Sequence, residues 1–459
     1  MIKCRRKPSA VAIFNLLLFI ALVPLHSVAG EIEIDLSQLR DSSLKQGLLN
    51  GPNDYYGITA SSDTADTLIS ALKPTSWRFS GIRGYGYGGD IYRFVVDDYH
   101  YDRRFGTSTV LNLQDIFNAK YGNPITIKAL CLPRESGCFA SFENLRQSWN
   151  TAIRDFLIDT KGTKIAFFDL LAEPDATFRN VSQDQLYLLA KDAYYLVKEI
   201  RPEAKTVGPS IISFKPRVLE ALIQYLVKDG IRFDAISWHE LGNDPEIIGQ
   251  HVTLMRSLFQ KYPGICQPSC PEIHINEYQG EDTMLIPGHA VGWLSNLESS
   301  NVNQANRACW GGDKGSPIPY QSCWYGFSGF LMSDNLTPQP LYWIYKFYAE
   351  LNSSRFATQS TLSKIAAISG QLSNGRIGIL VGNYGMSSNA IRLQLVNFMK
   401  ASAQIEVIRI GDTRNQVKSS PRADSLKDFN AVTANSVLTF QLDSIAAGDA
   451  YWIIVTPSN

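Results

Sequence analysis

A chain of 459 residues is too long for one small domain, so the sequence predicts a large domain and a smaller second one. Hydrophobic residues make up 45% of the chain, which excludes a disordered protein, and 22 Phe, 21 Tyr and 8 Trp provide aromatic rings for a ligand groove. The 43 Lys and Arg residues balance the 43 Asp and Glu residues, so nothing indicates binding to nucleic acid or to anionic lipid. A neutral partner is the expectation.

Residues 1–29 have the organisation of a signal peptide. A basic segment, MIKCRRKPS, precedes the apolar run AVAIFNLLLFIALV, and the small residues Ser27 and Ala29 stand before a cleavage point. We therefore expect export to the periplasm or the cell exterior. The alternative is an uncleaved membrane anchor, for which the apolar run is short, and contact with a membrane is expected only in that case.

Six of the seven cysteines fall into three pairs that are close in sequence, and the seventh, Cys4, lies in the predicted signal peptide. The pairs are Cys131 with Cys138, Cys266 with Cys270, and Cys309 with Cys323. In an exported chain this spacing indicates three local disulfides, although six cysteines allow about fifteen connectivities. Zinc ligation is the alternative, but the chain lacks CxxC pairs with nearby His, so no metal and no cofactor are predicted.

Residues 30–53 are an N-terminal segment whose alternating stretch EIEIDLSQ (31–38) predicts a strand. Residues 54–354 alternate short apolar runs with helical stretches, which is typical of a parallel sheet with crossover helices. The predicted strands are YYGITA (55–60), TSWRFSG (75–81), ITIKALCLP (125–133), IAFFDLLAEP (165–174), KTVGPSI (205–211), DAISWHE (234–240), EIHINEY (272–278) and an eighth at or just before RACW (307–310). Eight such units predict an α/β fold, the closed (β/α)₈ TIM barrel, better than an open doubly wound sheet.

Two of the connecting helices carry end signals. Ser182 and Gln185 have the spacing of a capping box, and the next helix is expected to begin at Pro216 and end at Gly230. No GxGxxG or GxxxxGK[ST] motif follows any predicted strand. A nucleotide ligand therefore has no support.

Residues 355–459 have a different pattern, with closely spaced strands and no helices between them. The strands are predicted at KIAAISGQLS, RIGILVGNYG, AIRLQLVNF, AQIEVIRIG, VLTFQLDSI and AYWIIVTP. Asn374 and Gly375 predict a two-residue hairpin turn between the first two. The pattern indicates a C-terminal all-β sandwich domain, which the strand at 31–38 is a candidate to join.

Polar side chains stand where the predicted barrel strands end, and in this fold the active site lies at the carboxyl ends of the strands. These residues are Arg78 on strand 2, Glu173 on strand 4, Trp238 and His239 on strand 6, and Glu277 and Tyr278 on strand 7. The two acids are expected to face each other across one pocket. Cleavage of a glycosidic bond needs such a pair, with one carboxyl group protonated to assist the leaving oxygen and the other ionised at the anomeric carbon.

The order WRFSG, LAEPDA, DAISWHE, INEYQ, RACW and PQPLYWIYKFYAEL resembles glycoside hydrolase clan A, most closely family 39 and its relatives, over most of residues 54–350. The resemblance implies a retaining enzyme that acts on xylosides, arabinosides, uronides or bacterial exopolysaccharides. It implies that Glu173 is the acid/base and Glu277 the nucleophile. It also implies that Arg78 supports the nucleophile and that His239 belongs to the sugar pocket.

The chain departs from the family pattern at Ala172, where the clan has an Asn that hydrogen-bonds the sugar 2-hydroxyl. A non-catalytic carbohydrate-binding protein on the same barrel is therefore the alternative function, and a transglycosylase is a third hypothesis. Trp238, Trp310 and Trp324 are candidates for stacking on sugar rings, with Tyr278 beside them, although tryptophan is as often a packing residue. For Arg78 the structural alternative is an internal ion pair, and for His239 it is a core histidine.

Overall fold

The computed structural model of the protein contains two domains, an eight-stranded parallel barrel and a nine-stranded β-domain, in the part of the chain that it describes. The described residues are 30–42, 45, 47–49, 63–79, 108–114, 116–117, 139–162, 165–178, 180–308, 329–331, 337–351, 354–386, 389–411 and 424–458.

The barrel follows the chain order around its circumference. Its strands are β2 (Gly47–Leu49), β3 (Ser76–Phe79), β4 (Ser108–Asn112), β5 (Ile165–Asp169), β6 (Lys205–Ile211), β7 (Ala235–Glu240), β8 (Glu272–Tyr278) and β9 (Gln304–Arg307). Neighbouring strands are parallel, and β9 pairs with β2 to close the sheet. The predicted TIM barrel is confirmed.

Two strand predictions were wrong. The first barrel strand is Gly47–Leu49, upstream of YYGITA (55–60), so the barrel begins before residue 54. The third strand is Ser108–Asn112, upstream of the predicted position at ITIKALCLP (125–133). A strand of three residues is too short to show a hydrophobic period, which explains why the first was missed. Residues 55–60 and 125–133 lie outside the described residues.

The connecting helices pack outside the barrel. They are α1 (Asp63–Ala71), α2 (Phe142–Asp159), α3 (Pro174–Thr177), α4 (Gln183–Ile200), α5 (Pro216–Asp229), α6 (Ile247–Lys261), α7 (Pro287–Ser299) and α8 (Pro340–Glu350). Both halves of the Ser182–Gln185 capping box are formed, and α5 ends at Gly230 with φ +64°, a left-handed conformation that glycine adopts without strain. None of the described helices has the length and apolar content needed to span a membrane.

The β-domain combines both ends of the described chain. Its strands are β1 (Gly30–Asp41), β10 (Ser354–Ser360), β11 (Ile365–Gln371), β12 (Ile377–Asn383), β13 (Asn389–Val396), β14 (Ser402–Ile410), β15 (Asp424–Ala434), β16 (Val437–Ile445) and β17 (Ala450–Ser458). The N-terminal strand β1 pairs antiparallel with β10 and parallel with β13, and the sheet closes on itself. Asn374 and Gly375, both with positive φ, lie in the hairpin turn between β11 and β12. This turn spans Ser373–Gly375 and is one residue longer than the predicted two-residue turn, since the Leu372 N–H donates to the Arg376 carbonyl at 2.8 Å. The predicted second, all-β domain is confirmed.

The two domains meet along α7, where backbone approaches backbone. A Cβ added at Gly288 of α7 would lie 2.1 Å from the carbonyl oxygen of Asn383, so only glycine fits there. At the other end of α7, Glu298 forms an ion pair with Arg355 of β10 (3.0 Å), with side chains 2% and 1% exposed. The Tyr348 hydroxyl also donates a hydrogen bond to Glu298 Oε1 (2.6 Å).

We expect Arg355→Met to lower the free energy of unfolding by about 3–5 kcal/mol, because the substitution leaves the Glu298 charge buried without its cation. The control is Arg154→Met, which breaks an ion pair with Glu199 whose side chains are 45% and 59% exposed. That change should cost less than about 1 kcal/mol. Urea denaturation followed by tryptophan fluorescence measures both, and equal effects of the two substitutions would contradict the prediction.

Candidate active site

A buried arginine links two carboxylates at the carboxyl ends of the barrel strands. Arg78 of β3 is fully buried, and its Nη1 donates to Glu277 Oε1 on β8 at 2.7 Å. Its Nη2 and Nε both donate to Asp169 Oδ2, at 2.8 and 3.0 Å, at the end of β5. The planar guanidinium thus has a fixed orientation in which one edge serves Asp169 and one nitrogen serves Glu277.

Asp169 is held in turn by two side chains on other strands. The Ser210 hydroxyl of β6 lies 2.8 Å from Asp169 Oδ1, and the Asn276 amide of β8 donates to Asp169 Oδ2 at 3.1 Å and to Ser210 Oγ at 2.8 Å. All three residues are fully buried. Burial raises the pKa of the Asp169 carboxyl, while the Arg78 guanidinium and the Ser210 hydroxyl act in the opposite direction.

Glu173 reaches the pocket from a strained turn. The strand β5 ends at Asp169, and Glu173 follows with φ +46° and ψ +47°, a left-handed conformation that is costly for a residue with a Cβ. Its backbone N–H donates to the Ser210 carbonyl at 2.8 Å, which holds the turn against β6. Pro174 is the first residue of the short helix α3, so it begins a helical turn and does not simply end an extended strand.

The side chains of Glu173 and Glu277 meet around His239. The His239 Nδ1 atom is 3.0 Å from Glu173 Oε1 and 3.8 Å from Glu277 Oε2. One oxygen of each acid and a ring nitrogen of His239 all lie within 4.8 Å of one another. His239 is fully buried, whereas the side chains of Glu173 and Glu277 are 29% and 15% exposed, so both acids have access to a ligand.

The position of His239 opposite Glu277 depends on a shift in strand register. Between Trp238 and His239 the pairing of β7 with β8 changes, so that His239 comes to lie opposite Glu277. A bulge of this kind re-aims a side chain that regular alternation would turn to the other face of the sheet. Left-handed backbone also occurs at Ser210 and Gln279, next to the functional ends of β6 and β8. Such strain concentrates at sites whose geometry is fixed by their surroundings.

Two of the aromatic residues predicted to bind sugar lie in the core. Trp238 is fully buried, and its Nε1 donates to Glu240 Oε1 at 2.5 Å while its ring packs against Phe214. Tyr278 is also fully buried, with its hydroxyl 2.7 Å from that of Tyr345. Neither ring has a face open to a sugar, which corrects the prediction. Strand alternation explains it, since a residue next to an inward-facing one points outward, toward the helices.

The remaining predicted residues divide between confirmed and undescribed ones. The Cys266–Cys270 disulfide is confirmed. Residues outside the described part of the chain are Trp310, Trp324, Cys131, Cys138, Cys309 and Cys323.

Asp169, Ser210 and Asn276 were not predicted from the sequence as site residues. Asp169 was available as a charged residue at the end of the buried run IAFFD, and Asn276 directly precedes the predicted nucleophile. Ser210 carries no such signal, because serine is common in strands and turns alike.

Glu173, His239 and Glu277 form a group that could ligate a divalent cation. These three side chains do not favour a metal ion, because Glu277 Oε1 already accepts a hydrogen bond from the Arg78 guanidinium. The positive charge of Arg78 opposes a second cation.

We expect Arg78→Met to lower the free energy of unfolding by about 3–5 kcal/mol at pH 7, and by less at pH 4.5. A carboxyl group whose pKa is higher in the folded than in the unfolded chain lowers the free energy of unfolding at pH values above its pKa in the unfolded chain. This destabilisation becomes smaller as the pH falls. Loss of Arg78 removes the cation that opposes the raised pKa of Asp169. Urea titrations at the two pH values measure the effect.

The matched control is Arg146→Met, which breaks a partly exposed pair with Asp192. It should cost about 1 kcal/mol or less. A loss for the Arg78 variant that is equal at both pH values would show that burial of Asp169 is not its cause.

Comparison with known sequences gives one partial match. No protein-family model matches the chain. A stretch of 164 residues, 35% of the chain, is 27% identical to a 3-O-alpha-D-galactosyl-alpha-L-arabinofuranosidase of Bifidobacterium longum subsp. longum. The match spans only 13% of the length of that protein.

Solved structures match over nearly the whole chain. The structure of N2152 from Neocallimastix frontalis is 19% identical, with 94% of this chain and 100% of that chain covered at a TM-score of 0.68. The GH39 enzyme from Xanthomonas axonopodis pv. citri is 13% identical, with 95% and 100% covered at a TM-score of 0.65. The chain therefore has the two-domain fold of family 39 glycoside hydrolases, the family that its sequence resembles.

Proposed function

We propose that the protein is an exported retaining glycoside hydrolase that cleaves a poly- or oligosaccharide by double displacement. The observation that carries the proposal is the meeting of Glu173 and Glu277, whose oxygens come within 4.8 Å in one partly open site. Retaining glycosidases hold their two carboxyl groups about 5–5.5 Å apart, whereas inverting enzymes leave about 6.5–9.5 Å for a water molecule. The observed spacing supports the retaining mechanism.

In the first step, an oxygen of Glu277 attacks the anomeric carbon while Glu173 transfers its proton to the leaving glycosidic oxygen. Arg78 occupies Oε1 of Glu277, so we assign the attack to Oε2. The bond to the leaving oxygen breaks, and a covalent glycosyl ester forms at Glu277. The guanidinium keeps the carboxylate in one rotamer, which preserves the geometry of attack.

In the second step, the ionised Glu173 takes a proton from water, and the water oxygen attacks the same anomeric carbon. The ester bond to Glu277 breaks, the sugar leaves with its original configuration, and both acids return to their starting states. His239, 3.0 Å from Glu173 Oε1, holds the proton donor on the side of the pocket opposite Arg78.

The proposed substrates are xylosides, arabinosides or related exopolysaccharide units. The family resemblance supports this class, and the partly matching protein from Bifidobacterium longum is named as an arabinofuranosidase. The balanced charge of the chain agrees with a neutral polymer.

The proposed export rests on the signal-peptide pattern and is supported by the Cys266–Cys270 disulfide, since disulfides persist in oxidising compartments.

A carbohydrate-binding protein without turnover is the second candidate, and Ala172 is the observation that favours it. The backbone N–H of Ala172 donates to Gln114 Oε1 at 3.2 Å, so a side-chain amide from the end of β4 lies beside this position. A methyl group at position 172 cannot hydrogen-bond a sugar hydroxyl, and that contact is worth several kcal/mol in the transition state of such enzymes.

Glu277→Ala and Glu173→Ala test the proposal on aryl xylosides and arabinosides. Glu277→Ala should lower kcat/KM by about 10⁴-fold or more, because no covalent ester can form. Glu173→Ala should cost about 10²–10⁴-fold with a poor leaving group, and much less with a dinitrophenolate, which leaves without protonation. Steady-state kinetics with the two leaving groups measure the contrast.

The control is Glu199→Ala, an exposed acid in the last turn of α4, and it should retain full activity. Full activity in either active-site variant would refute the proposed roles. Binding of glycans by the unaltered protein without any cleavage would instead favour the second candidate.

A further inference from the structure

Two residues of the β-domain contact the active face of the barrel. Lys364 lies in the turn between β10 and β11, and its Nζ is 2.9 Å from both Asp244 Oδ1 and Glu246 Oε2. Tyr384 follows β12 directly, and its hydroxyl donates to Glu246 Oε1 at 2.8 Å. The backbone N–H of Tyr384 donates to the Lys364 carbonyl at 3.0 Å, so the backbones of the two residues are directly linked.

The Tyr384 ring is fixed in place by packing. It is 9% exposed and lies against Gly292 of α7, where an added Cβ would be 2.9 Å from Tyr384 Cδ1 and 3.1 Å from Pro245 Cγ. Ring, proline and helix backbone therefore meet without room for a methyl group. Burial, together with the hydrogen bond to Glu246, raises the pKa of the Tyr384 hydroxyl, so it stays a donor at neutral pH.

The barrel segment in this contact is residues 241–246. We call it the strand-7 loop because it follows β7, the predicted sixth barrel strand, which carries His239. It supports the strand-8 loop, residues 279–283, which follows β8 and hence Glu277. The Gly280 N–H donates to the Gly242 carbonyl at 2.8 Å, and Asn243 Nδ2 donates to Asp282 Oδ2 at 3.1 Å. A Cβ at Gly280 would lie 2.9 Å from the Gly242 carbonyl oxygen, so the two loops are in backbone contact.

We propose that Lys364 and Tyr384 are positioning residues through which the β-domain holds the strand-7 and strand-8 loops, and with them His239 and Glu277, in their working geometry. The ion pairs of Lys364 are partly exposed, with side chains 37% exposed at Lys364 and 59% at Asp244, so they contribute little to global stability. Their effect is local: they remove freedom from two loops that each follow a functional residue by a few positions.

Hydrogen exchange tests the holding of the loops without reference to catalysis. In the double variant Lys364→Met, Tyr384→Phe, amides in residues 241–246 and 279–283 should exchange about tenfold faster than in the unaltered protein. Peptides from β5 should exchange at the same rate. The control Lys400→Met, an exposed lysine of the β-domain, should change neither loop. Unchanged exchange in both loops of the double variant would overturn the inference.

Kinetics test the consequence, which rests on the proposed hydrolase function. The double variant should lose about tenfold in kcat with KM changed much less, because a displaced Glu277 weakens attack more than ground-state binding. Lys364→Arg, which keeps the charge facing Asp244 and Glu246, should retain kcat. Faster loop exchange with an unchanged kcat would overturn the positioning role. If the unaltered protein cleaves no glycoside, the proposed function fails, and hydrogen exchange still decides whether the β-domain holds the loops.

Discussion

The bridge from Arg78 to Asp169 and Glu277 is the interaction on which the site depends. A guanidinium fully buried inside a barrel is stable only if its donors are satisfied, and here two carboxylates satisfy it from strands β5 and β8. Asp169 is anchored by Ser210 and Asn276, so the orientation of Arg78 on β3 is set by the ends of three other strands, β5, β6 and β8. The proposed nucleophile therefore takes its orientation from the barrel framework, and the loops that follow β7 and β8 add a further restraint.

The proposed proton donor is placed by a different device. Glu173 lies on a turn beyond β5, in a left-handed conformation whose backbone bonds to Ser210 and whose side chain meets His239. Ser210 thus contacts both halves of the site, through its hydroxyl to Asp169 and through its carbonyl to the Glu173 turn. We infer that three parts of the structure position the site. The strands orient Glu277, the strained turn orients Glu173, and the β-domain restrains the neighbouring loops.

The parts of this arrangement that could be predicted from sequence are those that repeat or carry charge. Short apolar runs predicted the positions of β5 to β8, and Glu173 and Glu277 were recognisable as acids at strand ends. The three-residue β2 has no measurable period. The register shift between β7 and β8 leaves Asn276 unpaired, so Asn276 and Glu277 both contact the Arg78–Asp169 pair, which the regular alternation of a strand does not predict. The contact of Tyr384 with Glu246 joins residues 138 positions apart, and only tertiary structure reveals it.

In the proposed mechanism, Glu173 and Glu277 act on one sugar carbon through a covalent intermediate at Glu277. Incubation with activated 2-deoxy-2-fluoro xylosyl and arabinosyl glycosides, followed by peptide mass spectrometry, tests this most directly, because the fluorine slows release of the ester. We expect one sugar per chain, attached to Glu277, with activity lost at the rate of labelling. An adduct on another residue, or substrate turnover with inverted product configuration and no adduct, would contradict it.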